Sequence, residues 1–169
     1  MLSGIPGIKR GAAGLLALLL ASAPTQSIAI TVNGTFKPQL TIVAVCSITT
    51  VLMNFGTVTN LNAARNGNGR VRVNCSSGTP YAVGLGTGLY GASVTTRQMK
   101  RTLSAVNLPY GIWSNAARSQ NWGQTIGVDT VAGTGTGAVQ SYTAYGRVPA
   151  FVGPQIGVYT DVVQVVVTY

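Results

Sequence analysis

The chain has 169 residues, of which 46 % are hydrophobic, and a formal net charge of +9. This length is enough for one domain with a full core and too short for two comfortable ones. Histidine and glutamate are absent, and the only carboxylate side chains are those of Asp129 and Asp161. General acid–base chemistry near neutral pH depends mostly on His, Glu or Asp, and a Ser-His-Asp or Cys-His arrangement cannot be built. The composition therefore argues against an enzyme, and we expect no cofactor.

Residues 1–29 are typical of a secretory signal peptide. Lys9 and Arg10 form its charged region, and the apolar residues 11–23 are too few to span a bilayer. Cleavage after Ala29 fits the small-x-small rule and is preferred, because the alternative cut after Ala23 would leave Pro24 first. We expect an exported mature chain that does not insert into a membrane.

Residues 30–42 alternate without a break between apolar or small side chains and polar ones. Successive side chains of a strand point to opposite faces, so this pattern predicts a β-strand with one apolar and one polar face. Such a strand at the start of the mature chain needs a groove to lie in. If the groove belongs to another molecule, the chain is a polymer subunit. The apolar or small positions are Ile30, Val32, Gly34, Phe36, Pro38, Leu40 and Ile42.

Export also changes the meaning of the two cysteines, Cys46 and Cys75. An even count in an oxidising compartment favours one disulfide over two free buried thiols. It would close a loop of about thirty residues and stabilise the fold by roughly 3–4 kcal/mol in the chain-entropy model. Two cysteines without histidine cannot complete a zinc shell, so no metal site is expected.

The rest of the chain reads as short strands separated by turns, with no convincing helical periodicity. Loops are expected at 60–69 and 86–96 and in the polar, glycine-rich stretch that ends at Gly137. The predicted strands cover residues 43–46, 48–54, 70–75, 81–85, 98–103, 108–114, 139–147 and 159–169.

The last predicted strand, 159–169, is apolar on both faces, which is typical of a central strand in a sandwich. One of its faces carries Val163, Val165, Val167 and Tyr169. The spacing of strands and the disulfide favour an all-β, immunoglobulin-like β-sandwich. No strand pattern follows Tyr169. If this strand is the sixth of an immunoglobulin-like set, the seventh is missing. The open groove would then be a large apolar patch that favours aggregation unless another strand filled it.

Basic residues after position 29 are dispersed along the chain rather than clustered. A solvated, soluble surface is the expected reading. Contact with an acidic surface or a polysaccharide is the alternative. No motif for nucleic-acid binding accompanies the charge, so no nucleic-acid partner is expected.

Several short motifs follow one another along the mature chain. They are Asn54-Phe55-Gly56, residues 73–81 (VNCSSGTPY), Arg97-Gln98-Met99, residues 108–113 (LPYGIW), Asn121-Trp122-Gly123, Tyr145-Gly146-Arg147 and residues 159–169. In these motifs and their order the chain resembles the spore coat protein U domain family, which includes subunits of archaic chaperone–usher pili.

The resemblance implies an incomplete immunoglobulin-like domain over residues 43–169, preceded by a donor-strand extension over 30–42. A periplasmic chaperone would hold the subunit by donating a strand, and an outer-membrane usher would exchange that strand for the extension of an identical or related pilin subunit. The resemblance makes Ile30, Val32, Phe36, Leu40 and Ile42 donor residues and Cys46–Cys75 the family disulfide. It makes Val163, Val165, Val167 and Tyr169 the strand that the chaperone pairs with.

The function implied is that of a structural subunit of a cell-surface fimbrium that serves adhesion and biofilm formation. The alternative is a secreted coat or matrix protein that uses the same domain without forming a pilus. One departure from the family pattern is Pro38, which stands on the apolar face and lacks the N–H needed for a ladder bond. It leaves open whether Phe36 or Leu40 takes the central pocket.

Overall fold

The computed structural model describes residues 26–169, so the predicted signal peptide lies outside the described residues except for 26–29. The chain divides into two units, one ending at Leu40 and the other running from Thr41 to Tyr169. Residues 26–45 contain no strand and are all exposed. A strand is defined by its hydrogen-bonded partner, so the strand predicted over 30–42 is not formed within the described chain.

The unit from Thr41 to Tyr169 is all-β, which confirms the predicted fold class. Within the described residues it contains nine strands: β1 Cys46–Val51, β2 Arg65–Cys75, β3 Pro80–Leu85, β4 Arg97–Arg101, β5 Asn107–Trp113, β6 Val131–Thr134, β7 Gln140–Val148, β8 Tyr159–Thr160 and β9 Val165–Thr168.

The strands form two antiparallel sheets whose inner faces share one core. The larger sheet has the order β1-β2-β7-β5-β4-β8, and the smaller has the order β6-β3-β9. The strict alternation in β2 shows which face of the larger sheet meets the core. Val71, Val73 and Cys75 are buried on that face, while Arg70 and Arg72 on the other face are exposed to solvent.

The predicted disulfide is present. Cys46 and Cys75 stand directly opposite each other in the β1–β2 ladder, with Cα atoms 4.1 Å apart. The bond therefore joins the first residue of β1 to the last residue of β2 and fixes their register.

Two fully buried side chains, Arg97 and Trp122, connect the sheets. The Arg97 guanidinium donates to the carbonyl oxygens of Leu85, Gly86, Val94 and Trp122 at 2.7–2.8 Å. The Trp122 indole N–H donates to the Val83 carbonyl at 2.9 Å. Burial lowers the pKa of Arg97, but arginine keeps its proton in proteins. Each buried donor has a partner, so this end of the core is closed.

Several sequence expectations were wrong. The strand predicted at 43–46 is not formed as such, because β1 begins only at Cys46. The loop predicted at 60–69 ends early, because Arg65–Gly69 already pairs with β7. The polar stretch before Gly137 contains β6, which pairs with β3.

A further error concerns the strand predicted at 159–169, which is two strands in different sheets. β8 pairs with β4 and β9 pairs with β3. Each lies at the edge of its sheet rather than at the centre. The second apolar face predicted for residues 159–169 is not covered, since Val162 and Val166 remain exposed.

Candidate functional site

A groove of about 860 Å³ opens along one side of the unit from Thr41 to Tyr169. One wall is the chain from Thr50 to Leu61, which continues from β1, and the other runs from Pro154 to Asp161 and on to Val163 and Val165. Its floor consists of core side chains from four strands: Leu85, Met99, Leu108, Tyr110, Ile112, Ala144 and Val148. The site is thus an opening into the hydrophobic core.

Glycines in the larger sheet shape the first wall. A Cβ at Gly146 would collide with Met53 Sδ, and a Cβ at Gly67 would lie 2.9 Å from the Phe55 ring. Because both positions lack side chains, Met53 and Phe55 can lie flat on the sheet beside the groove. The Phe55 ring meets Tyr110 edge-on, with centroids 6.3 Å apart.

The second wall ends in a free strand edge. Within the described residues β9 pairs only with β3. The Gly86 N–H donates to the Gln164 carbonyl at 2.9 Å, so alternate residues of β9 direct their backbone groups towards β3. The backbone N–H and C=O groups of Val165 and Val167 therefore point towards the open edge. That edge can accept another strand.

Asp161 forms the corner between β8 and β9. Its carboxylate accepts hydrogen bonds from the Leu89 N–H at 2.8 Å, from the Tyr110 hydroxyl at 2.6 Å and from the Val162 N–H at 2.8 Å. Burial, and then the hydrogen bond to Asp161, raise the pKa of Tyr110 far above its usual value. The corner turns the chain from the larger sheet to the smaller one, and Asp161 lines the groove at this point.

The predicted C-terminal residues lie beside the groove. Val163, Val165 and Val167 pack against the core, and the first two also line the groove. Tyr169, placed on the same face by the sequence pattern, is 59 % exposed. Whether this strand binds a chaperone stays a prediction.

The predicted donor residues lie in the separate segment before β1. Each of Ile30, Val32, Phe36, Leu40 and Ile42 is more than four-fifths exposed, and Phe36 reaches 91 %. Isolated exposed apolar residues are ordinary in proteins, but an unbroken alternating series is not. Their role as a donor strand stays a prediction.

Sequence reasoning did not identify Met53, Phe55 or the wall at 154–161 as parts of the groove. Phe55 could have been singled out, because it lies in the motif Asn54-Phe55-Gly56. The wall at 154–161 carries no regular alternation before Tyr159, so no periodicity could have indicated it.

The family model of the Spore Coat Protein U domain matches residues 32–166. The chain belongs to the spore coat protein U domain family. The match begins inside the exposed segment and ends in β9, so it covers the groove, both of its walls and most of the segment rich in apolar side chains.

Among solved structures, this family member resembles a chain in the crystal structure of the CsuC–CsuE chaperone–tip adhesion subunit pre-assembly complex from archaic chaperone–usher Csu pili of Acinetobacter baumannii. The two share 27 % sequence identity with a TM-score of 0.57 over 76 % of the present chain. The alignment spans only 40 % of the other chain's length. A comparison with curated proteins found no match.

Two other kinds of feature are absent from residues 26–169. No helix in that range is long and apolar enough to cross a membrane. The same residues contain no group of three or more His, Cys, Asp or Glu side chains placed to hold a metal ion.

Proposed function

We propose that this protein is a structural subunit of a surface pilus, assembled by the chaperone–usher pathway through donor-strand exchange and serving adhesion and biofilm formation. The observation that carries the proposal is a groove lined by core side chains beside a free strand edge, in a chain that also presents an exposed, alternating segment. The groove is the place of the missing seventh strand of an incomplete immunoglobulin-like sandwich.

Strand addition fits both features. In this mode of recognition, main-chain hydrogen bonds to a sheet edge give affinity and alternate side chains entering pockets give specificity. The edge of β9 supplies the backbone groups of Val165 and Val167, and the groove floor supplies apolar pockets. Residues 30–42 supply an apolar side chain at every second position, apart from Gly34 and Pro38.

The donor segment serves a neighbouring subunit rather than its own groove. To fold back, the chain would have to reverse direction between Ile42 and β1. Val45 is already held there by hydrogen bonds with Ser76. Residues 41–45 are Thr-Ile-Val-Ala-Val, with none of the Gly, Pro, Asn or Asp residues that support tight turns. The sequence at this point favours an extended exit and therefore a polymer.

Before polymerisation the same groove and edge would be covered by a periplasmic chaperone, which pairs with the strand bearing Val163, Val165, Val167 and Tyr169. An outer-membrane usher would then exchange the chaperone's strand for the next subunit's residues 30–42. The functional domains are residues 1–29 as a signal peptide, 30–42 as the donor extension and 43–169 as the pilin domain. The protein would pass through the periplasm to the cell surface.

The test compares a charge placed on the apolar face of the donor segment with the same charge placed on its polar face. Phe36→Asp puts a carboxylate where the proposal places an apolar pocket, so multimers should be lost while the subunit still folds. Thr35→Asp adds the same charge on the polar face and should leave multimers intact. The measurement is a heating series of the surface-sheared fraction in SDS without reductant, followed by blotting.

Wild-type protein should form a ladder of multimers that collapses to monomer only on strong heating. Normal ladders from Phe36→Asp would contradict the pocket assignment. Monomer at every temperature in the wild type would instead favour a secreted coat or matrix protein with the same domain.

A further inference from the structure

The outer face of the larger sheet carries a row of arginines. On β2, Arg70 and Arg72 point outward and lie roughly 7 Å apart along the strand. On the neighbouring β7, Arg147 points outward opposite Asn66, and its Nε donates to the Asn66 side-chain oxygen at 2.9 Å. Asn68 and Asn74 occupy further outward positions of β2. The face is therefore both basic and rich in amide groups.

No carboxylate side chain neutralises this face. The chain has only Asp129 and Asp161. Asp161 is held at the β8–β9 corner by Tyr110, and Asp129 accepts a hydrogen bond from the Thr125 N–H at 2.7 Å in the loop after Trp122. Exposed arginines of a soluble protein are commonly interspersed with acids, so the positive potential of this face is not balanced locally.

Two aromatic rings adjoin the arginines. Trp113 and Tyr145 are paired across the β5–β7 ladder. The Trp113 ring lies over Gly111, where a Cβ would collide with it, so the ring is flat against the sheet and half-buried. The guanidinium of Arg118 lies 5.9 Å from the centre of the Tyr145 ring. Trp113 is thus a flat apolar platform within a basic surface.

We propose that this face binds an anionic, uronate-bearing polysaccharide. Guanidinium groups bind carboxylates through paired hydrogen bonds, and Asn amides can both donate to and accept from sugar hydroxyls. The flat Trp113 ring matches the apolar face of a pyranose. An extended sugar chain can lie across the outer face of the sheet, and in a polymer each subunit would repeat the face, which adds avidity.

A nucleic acid fits this surface less well. Readout of a DNA duplex uses a helix or ribbon that enters a groove, whereas the outward positions of β2 and β7 lie on the outer face of a six-stranded sheet. Proteins that bind single strands stack successive bases on several rings. Here Arg118 lies over Tyr145, which leaves Trp113 as the platform.

The test measures binding of the full-length exported protein, in whatever assembly state it is recovered, to immobilised polygalacturonate. Neutral dextran, single-stranded DNA and duplex DNA serve as comparison probes, and the salt concentration is varied. The variant Arg72→Gln removes one charge from the face and leaves the groove lining unchanged. The control Lys100→Gln removes one charge from β4, outside the groove, where the Lys100 Nζ lies 5.4 Å from the centre of the Tyr90 ring.

We expect salt-sensitive binding to polygalacturonate, a loss of about fivefold in Arg72→Gln, and less than a twofold change in Lys100→Gln. Trp113→Ala should weaken binding to polygalacturonate several-fold. Absence of polygalacturonate binding would overturn the proposal. So would an equal loss in the control, which would indicate bulk charge only, or equal or tighter binding to either form of DNA.

Discussion

The two ends of the hydrophobic core are built differently. Around Trp122 and Arg97 the side chains are fully buried and every buried donor has a carbonyl partner. Along β9 and the wall at 50–61, core side chains such as Leu108 and Ala144 line an open groove, and a strand edge has no partner in the described chain. The fold is therefore closed around Trp122 and Arg97 and open to a further strand beside β9.

The largest expected effect comes from the closed side. Trp122→Ala should reduce the free energy of unfolding by about 3–5 kcal/mol, because it creates a large cavity and frees the Val83 carbonyl. Trp113→Ala, on the half-buried outer face, is the matched control and should cost clearly less. Urea unfolding monitored by circular dichroism measures both, and equal costs would contradict the description of a closed core.

The disulfide lies away from the groove, at the joined ends of β1 and β2. Replacing both cysteines by serine should destabilise the fold by about 3–4 kcal/mol, since the reduced chain gains unfolded-state entropy. Binding of a donor peptide with the sequence of residues 30–42 should change much less than stability, provided the variant is assayed below its unfolding midpoint. A parallel loss of both would show that the disulfide shapes the groove itself.

The two sides should respond differently to a donor strand. Leu108→Ala lies on the groove floor and Val83→Ala lies in the closed core. We expect Leu108→Ala to weaken binding of the 30–42 peptide by about tenfold, roughly 1.4 kcal/mol, because it removes part of a pocket. Val83→Ala should alter stability without altering peptide affinity. Titration calorimetry with each variant measures the affinity for the peptide. Loss of affinity in Val83→Ala but not in Leu108→Ala would contradict the distinction between the closed core and the groove.

Alkaline pH should weaken the corner that separates the two sheets. Tyr110 has a raised pKa when folded, because burial and then the hydrogen bond to Asp161 disfavour its ionised form. The stability it contributes is fully present below the unfolded tyrosine pKa of about 10 and is lost as the pH rises above that value. The loss between pH 8 and pH 11 should reach about 1.4 kcal/mol for this group.

Urea midpoints at several pH values measure that loss. Tyr110→Phe lowers stability at neutral pH through the lost hydrogen bond to Asp161, but it should flatten the alkaline decline. An unchanged decline would mean that Tyr110 ionises as readily in the folded state as in the unfolded one.

Much of the sandwich could be predicted because alternation reports burial directly. The runs Val71-Arg72-Val73 and Leu108–Trp113 have one buried face, and both were predicted as strands. The start of β2 was missed because glycine takes the inward positions at Gly67 and Gly69, where side chains of the wall at 53–55 need the space.

The sequence indicated that the sandwich lacks a strand, but it did not indicate which residues form the walls of the groove. The pattern at 159–169 indicated a final apolar strand, yet nothing in that run showed that Asp161 would divide it between sheets. That division depends on Tyr110 and Leu89, which are distant in sequence. The wall at 154–161 is held by similar distant contacts, such as Arg101 to the Ile156 carbonyl.

The central claim is that residues 30–42 of one subunit fill the groove of another. The most direct measurement is hydrogen–deuterium exchange of the full chain carrying Phe36→Asp, with and without a wild-type peptide of residues 30–42. The account predicts new protection at 50–61 and at 154–168, with little change around Arg97 and Trp122. Absence of protection, or protection confined to surfaces outside the groove, would contradict it.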